Sequence, residues 1–190
     1  MNSKLLKLRK NQSSFPLEIL QETSLDCLEI MGGMLEELPQ ELERLSGLKS
    51  LSINCPELRV FPKFILELKN LEVLKVKNSH ISNISEGEIL FKNLKSLDLS
   101  SNKLETLPNW FYELTSLEVL NISNNKISEL SESITHLKQL KRVNFDRNQL
   151  TSLPKGLETL VKLNHLSVDL NNFSEEEKNR LFKVYKIWFN

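Results

Sequence analysis

The chain has 190 residues, with Lys+Arg 25 balancing Asp+Glu 25 and a pI near 6.9, a length that suits one domain. Zero formal net charge lacks the basic excess of proteins that hold nucleic acid or anionic membranes, so no nucleic-acid partner is expected. Thirty-eight leucines stand beside no alanine at all, and Gly 5 plus Pro 6 are too few for a disordered or collagen-like chain.

The first dozen residues, MNSKLLKLRKNQ, carry four basic side chains but no apolar run of the length a secretory signal needs. Nothing approaches the ~18–20 consecutive apolar residues of a membrane span, so no membrane insertion is expected. The chain as given therefore reads as cytoplasmic, and a signal removed upstream would make it secreted or surface-exposed. Leu6, Leu8 and Asn11 have the pattern of an eroded strand, and Phe15-Pro16 with Ile19 that of its return limb. Residues 1–24 are thus expected to be a degenerate N-terminal repeat or cap.

From Leu25 onward leucines recur at Leu48, Leu71, Leu94, Leu117, Leu140 and Leu163, every step 23 residues. One unit runs Leu94, Leu97, Leu99, Asn102, Leu104, Leu107-Pro108, Phe111, Leu114, and the next two keep the same apolar positions. In Leu97-Asp98-Leu99 and Leu120-Asn121-Ile122 apolar and polar residues alternate, the pattern of a strand buried on one face. A single unit cannot bury its apolar side, and stacking makes a continuous core. Asn102, Asn125, Asn148 and Asn171 would form a ladder whose amides tie successive coils. The first three units put Gly33, Pro56 and Ser79 at that position, and Ser85 and Ser131 replace the proline. Glu88 falls on an inward position with Ile89 and Leu90 beside it. An irregular limb around residues 84–93 and looser packing in the N-terminal half are therefore expected.

Ser174 followed by Glu175, Glu176 and Glu177 is a capping box with acids in the first helical turn. The helix over 174–190 would place Leu181, Val184 and Trp188 on one face, widened by Phe182, Tyr185 and Phe189, and seal the last coil.

The L-x-x-L-x-L-x-x-N-x-L pattern resembles the leucine-rich repeat. Leu38-Pro39, Phe61-Pro62, Leu107-Pro108 and Leu153-Pro154 are similar to its LPxxL subclass, common in bacteria. The resemblance implies an α/β solenoid: a horseshoe with a short parallel β-sheet on the concave face, a 3₁₀ or irregular convex limb, and here a C-terminal capping helix. Residues 25–173 would be seven repeats within a single domain. It also implies a binding scaffold. The rival within the family is an effector whose repeats select a substrate for a separate catalytic domain; only 17 residues follow Phe173, and the cap uses them. A surface adhesin or host-interaction protein is the same binding function in another compartment.

No catalytic constellation emerges. His80, His136 and His165 fall at different phases of the repeat, so no metal site is expected, and no phosphate-binding loop or nucleophile motif occurs. Cys27 and Cys55 would lie roughly 17 Å apart, beyond the about 7 Å a disulfide tolerates, and are read as two structural thiols. No cofactor is expected. What remains is the open strand face, roughly 29 Å wide for seven strands. It presents Lys75 and Lys77 beside Asp98, a polar row through Asn121 and Asn144, and Arg142, Asp146 and Arg147 beside His165 and Asp169. That face suits a protein or peptide partner of a monomer and is too open to enclose a small substrate. Charge reversal at Arg142 and Asp146 is expected to weaken binding without changing the melting temperature. Trp110 is read as packed, because Gly87 and Ser133 at the matching positions leave room for its ring.

Overall fold

The computed structural model describes residues 2–189. Strict alternation of apolar and polar residues determines the sheet: in Ser50–Asn54, Leu51 and Ile53 are fully buried while Ser50, Ser52 and Asn54 remain half-exposed. Among the described residues eight such strands form one sheet in chain order, every neighbouring pair parallel. They are β1 (Ser3–Leu8), β2 (Cys27–Gly32), β3 (Ser50–Asn54), β4 (Val73–Val76), β5 (Ser96–Asp98), β6 (Val119–Asn121), β7 (Arg142–Asn144) and β8 (His165–Ser167). The eroded N-terminal segment supplies β1, so the sheet is one strand wider than the seven in-phase leucines indicate, about 34 Å across. Ser3 pairs with Cys27, one residue outside the 23-residue step kept from Ser50 through Val73, Ser96, Val119 and Arg142 to His165.

Return limbs on the opposite side are short 3₁₀ helices: Leu17–Gln21, Gln40–Arg44, Lys63–Glu67, Asn109–Glu113, Glu132–His136 and Lys155–Thr159. Five of them follow Pro16, Pro39, Pro62, Pro108 or Pro154, whose ring fixes an extended approach to the first turn. In the sixth, Ser131 does that work differently, its hydroxyl accepting from the Ser133 N–H at 3.1 Å. Each limb drives at least one side chain inward: Ile19, Leu42, Ile65, Phe111, Ile134 and Leu157 are all buried, joined by Phe64 and Leu66 in the third limb and Trp110 in the fourth.

The limb after β4 contains no such helix, as its sequence indicates. Glu88, however, faces solvent, and Ile89 and Phe91 fill the core in its place. An unpaired carboxylate in an apolar interior costs several kcal/mol, roughly, and a one-residue shift of the limb avoids that cost. The N-terminal half is not looser either. β1 and β2 have 6 residues each against 3 in β5 through β8, and Ile30, Leu42, Leu48, Leu51 and Ile53 show no exposure. Where the turn-forming Asn is missing the strand simply runs on. Gly33 then makes the turn at φ +74°, and a Cβ there would lie 2.9 Å from Leu8 Cδ1.

Downstream, the Asn ladder is continuous. Asn125 Nδ2 donates to Leu99 O and Ile122 O at 3.0 Å each, and its Oδ1 accepts from the Leu104 N–H at 3.0 Å. Asn148 repeats this arrangement with Ile122, Phe145 and the Ile127 N–H, and Asn171 with Phe145, Val168 and the Leu150 N–H. The residue just before each rung position is left-handed: Asn78, Ser101, Asn124, Arg147 and Leu170 have φ between 53° and 57°.

A second row lies where the strands begin. Asp26, Lys49, Glu72, Lys95, Glu118 and Lys141 alternate in sign one coil apart, with N–O distances of 3.1, 2.8 and 2.6 Å within the pairs. Glu72 and Glu118 are held below the usual carboxylate range by hydrogen bonds from Lys95 and Lys141, and Asp26 by the Asn2 N–H and then by Lys49.

The C-terminal helix α1 (Glu175–Tyr185) starts at Ser174, whose Oγ accepts from the Glu177 N–H at 3.2 Å. The Glu177 carboxylate and the Arg180 guanidinium clamp Leu153, accepting from its N–H and donating to its carbonyl. Leu181 is fully buried, but Val184 and Trp188 point to solvent, Trp188 with 77% exposure. For Trp188 the reason is that α1 ends at Tyr185 and Lys186 turns left-handed, so the helical spacing no longer holds; Val184, still within α1, simply lies on the helix's outer side. Ile187 and Phe189 fold back over the core instead, Phe189 meeting Phe173 edge-on at 5.9 Å.

Candidate functional site

The sheet's open face is built by the outward positions of the strands. Backbone pairing aligns Lys75 with Asp98, then Asp98 with Asn121, Asn144 and Ser167 in one row, and Val119 with Arg142 and His165 in another. Lys75, Arg142 and His165 therefore stand at outward positions of one sheet, and Lys77, Asp146, Arg147 and Asp169 lie just past the ends of β4, β7 and β8. Lys75 and Asn144 are three strands apart, about 14 Å.

The side chains divide into two kinds. Asp98, Asn121 and Asn144 each use Oδ1 to accept from the backbone N–H two residues on, those of Ser100, Ser123 and Asp146, at 3.0, 3.1 and 2.9 Å. These are Asx turns that end the strand. Asp146 is also engaged: both carboxylate oxygens accept from Ser167 Oγ at 2.8 Å, and Oδ1 accepts from the Asp169 N–H at 2.7 Å. Reversing its charge would break these bonds, so an Arg142–Asp146 double reversal changes stability as well as the face.

The second kind has no internal work. Among the described residues, no hydrogen bond or ion pair engages the side chains of Lys75, Lys77, Arg142, Arg147, His165 or Asp169, and all seven ion pairs lie off this face. Arg142, Arg147, His165 and Asp169 are exposed, while Lys75 and Lys77 are half-buried. Lys75, Lys77, Arg142, His165 and Asp169 fall on outward positions of the repeat, whereas Arg147 takes the left-handed turn position; the division into engaged and unengaged groups emerges only from the turn geometry. The alternating-sign row from Asp26 to Lys141 was not singled out from the sequence, although its 23-residue spacing is there to be read.

The thiols are both free. Cys27 is half-buried on the open face, and Cys55 is enclosed in the core, its pKa pushed up to about 11 by burial. Trp110 is packed, 3% exposed, against Phe61 and Phe91. No group of three or more His, Cys, Asp or Glu side chains among the described residues could hold a metal ion. No helix among them is long and apolar enough to cross a membrane.

An open parallel sheet, 3₁₀ return limbs and an amide ladder at a 23-residue period define a leucine-rich repeat solenoid. The family model described as a leucine-rich repeat region matches residues 77–183, more than half of the chain. The chain belongs to the leucine-rich repeat family. No curated protein sequence matches it significantly. Among solved structures, a leucine-rich repeat protein of Leptospira interrogans is similar at 35% identity and a TM-score of 0.70, over 98% of this chain and 54% of that one. An internalin of Listeria monocytogenes shares the fold at 21% identity and a TM-score of 0.76, over 97% and 52% of the two chains. PEPR1, solved with AtPEP1, shares it at 23% identity and 0.74, over 90% and 25%. The chain thus spans about half the length of the first two. This fold commonly mediates protein–protein interaction.

Proposed function

We propose that the chain is a non-enzymatic scaffold that binds a protein or peptide partner on its concave sheet, through Lys75, Lys77, Arg142, Arg147, His165 and Asp169. One observation supports this reading: Lys75, Arg142 and His165 stand at outward strand positions of one sheet with no internal partner, while the neighbouring Asp98, Asn121 and Asn144 spend their oxygens on turns. A partner that meets the unengaged side chains displaces only water, and no internal hydrogen bond has to break first. Asp98, Asn121, Asn144 and Asp146 hold the face in shape. The solenoid in PEPR1 with AtPEP1 is a precedent for the same architecture engaging a partner. In this reading seven repeats over 25–173, a degenerate repeat over 1–24 and a cap over 174–190 act as one monomeric unit.

The test is affinity capture with the intact chain, compared with a Lys75→Glu/Lys77→Glu/Arg142→Glu variant and with a Lys63→Glu/Lys155→Glu control on the return limbs. The concave variant should keep its melting temperature and lose the partner, while the control keeps both. Equal recovery by all three forms would move recognition off the concave face.

A further inference from the structure

We propose that the coil spanning residues 77–93 is a joint dividing the solenoid into two units that yield independently, and that Trp110 is its latch. The ladder that fastens downstream coils is incomplete at this boundary. Asn125, Asn148 and Asn171 each accept from a backbone N–H 21 residues back. Asn102 has no such donor: its buried Oδ1 finds no partner among the described residues. Ser79 stands where the preceding rung would be, and its hydroxyl bonds to Cys55 O at 2.9 Å and to Lys77 O, reaching nothing on the downstream coil, which is held there by backbone bonds and by Asn102 Nδ2 on Val76 O.

On the convex side the same boundary lacks a 3₁₀ helix, so Lys63–Glu67 and Asn109–Glu113 are separated by a limb of different shape. Trp110 reaches back across that limb. Its ring centroid lies 6.5 Å from Phe61 and 6.0 Å from Phe91, and its Nε1 donates to Ser85 O at 3.1 Å. Next to it, the Asn109 N–H and Nδ2 donate to the Glu86 carboxylate at 2.9 and 3.1 Å. Backbone bonds between coils persist at this boundary, but the limb has no 3₁₀ helix to stack on its neighbours, and the indole is the side chain that spans it. In a solenoid each coil touches only its neighbours, so a weak boundary is not bypassed by long-range contacts. The joint also separates the concave cations: Lys75 belongs to the upstream unit, Lys77 begins the joint itself, and Arg142, Arg147 and His165 belong to the downstream unit. Flexing there changes the spacing between the two groups without disturbing either.

Native-state amide exchange on the whole chain, across rising sub-denaturing urea, tests this. The strand amides of β2 and β3 should follow one opening curve and those of β6 and β7 another, with exchange rates at least about tenfold apart. The Leu90 amide, bonded to Leu66 O at 2.8 Å, should open before either. A single common curve for all strands would overturn the proposal. Trp110→Phe keeps an aromatic ring but loses the Ser85 bond, and Glu86→Ala removes the exposed half of the latch. Each should speed Leu90 exchange about tenfold while leaving β3 and β7 within about twofold. Uniform acceleration of all amides, or none at Leu90, would show that the latch has no separate role.

Discussion

Asn102 and Asn125 occupy equivalent rungs of the ladder, yet their loss should not cost the same. In Asn125→Ala the carbonyls of Leu99 and Ile122 each keep another donor, Asn102 Nδ2 and Asn148 Nδ2, both at 3.0 Å. The Leu104 N–H keeps none, because Asn125 Oδ1 is its acceptor. A buried, orphaned N–H costs about 1–3 kcal/mol. In Asn102→Ala the Oδ1 that disappears held nothing, and the loss falls on Val76 O, bonded at 2.8 Å. An under-satisfied carbonyl is tolerated better than an orphaned N–H. The cavity created is the same size in both, so it cancels in the comparison. Asn125→Ala should therefore destabilise by about 1–2 kcal/mol more than Asn102→Ala, a difference of roughly 2–6 °C in melting temperature. Both residues lie downstream of the 77–93 coil, so the same transition reports both, and urea titration followed by far-ultraviolet dichroism measures it. Equal costs, or a larger one for Asn102→Ala, would refute the reasoning.

Three further outcomes follow from other parts of the molecule. Leu170 is left-handed at φ 57° and 65% exposed, so Leu170→Asn should stabilise the fold by about 1 kcal/mol, seen as a higher urea midpoint. Glu72 and Glu118 are held below their ordinary range when folded, so their ion pairs favour the folded state above about pH 4.3 and that help fades as pH falls through the lower folded values. Melting between pH 3 and 6 should show this dependence weakened in Lys95→Met and in high salt. Iodoacetamide at about pH 8 should alkylate Cys27 and spare Cys55, whose buried thiol stays protonated there, and intact mass would show one adduct until the chain unfolds.

Much of the fold is legible because a period of 23 residues fixes register once for every coil. The inward leucines, the Asn rungs and the prolines before the return limbs all follow from it, and the Ser174 cap follows from its own local capping box. What is not legible depends on local departures from the period. Glu88 escapes burial through a one-residue shift in a limb that has no helix to hold its phase. Trp188 leaves the core face because Lys186 ends α1 in a left-handed turn, and helical spacing then says nothing about residues 187–189. β1 pairs one residue out of step, and no leucine count reveals that. On the open face, position is readable but employment is not. Asp98 and Asp146 look as available as Lys75 or Asp169 until the turns that consume their oxygens are seen.

The claim that the hollow side of the sheet is the working surface is tested most directly by lysine acetylation of a captured complex, read by peptide mass. Lys75 and Lys77 should be shielded by the partner, while Lys63 and Lys155 at the starts of their return limbs stay as reactive as in the free chain. Shielding of Lys63 and Lys155 with Lys75 and Lys77 unchanged would contradict it.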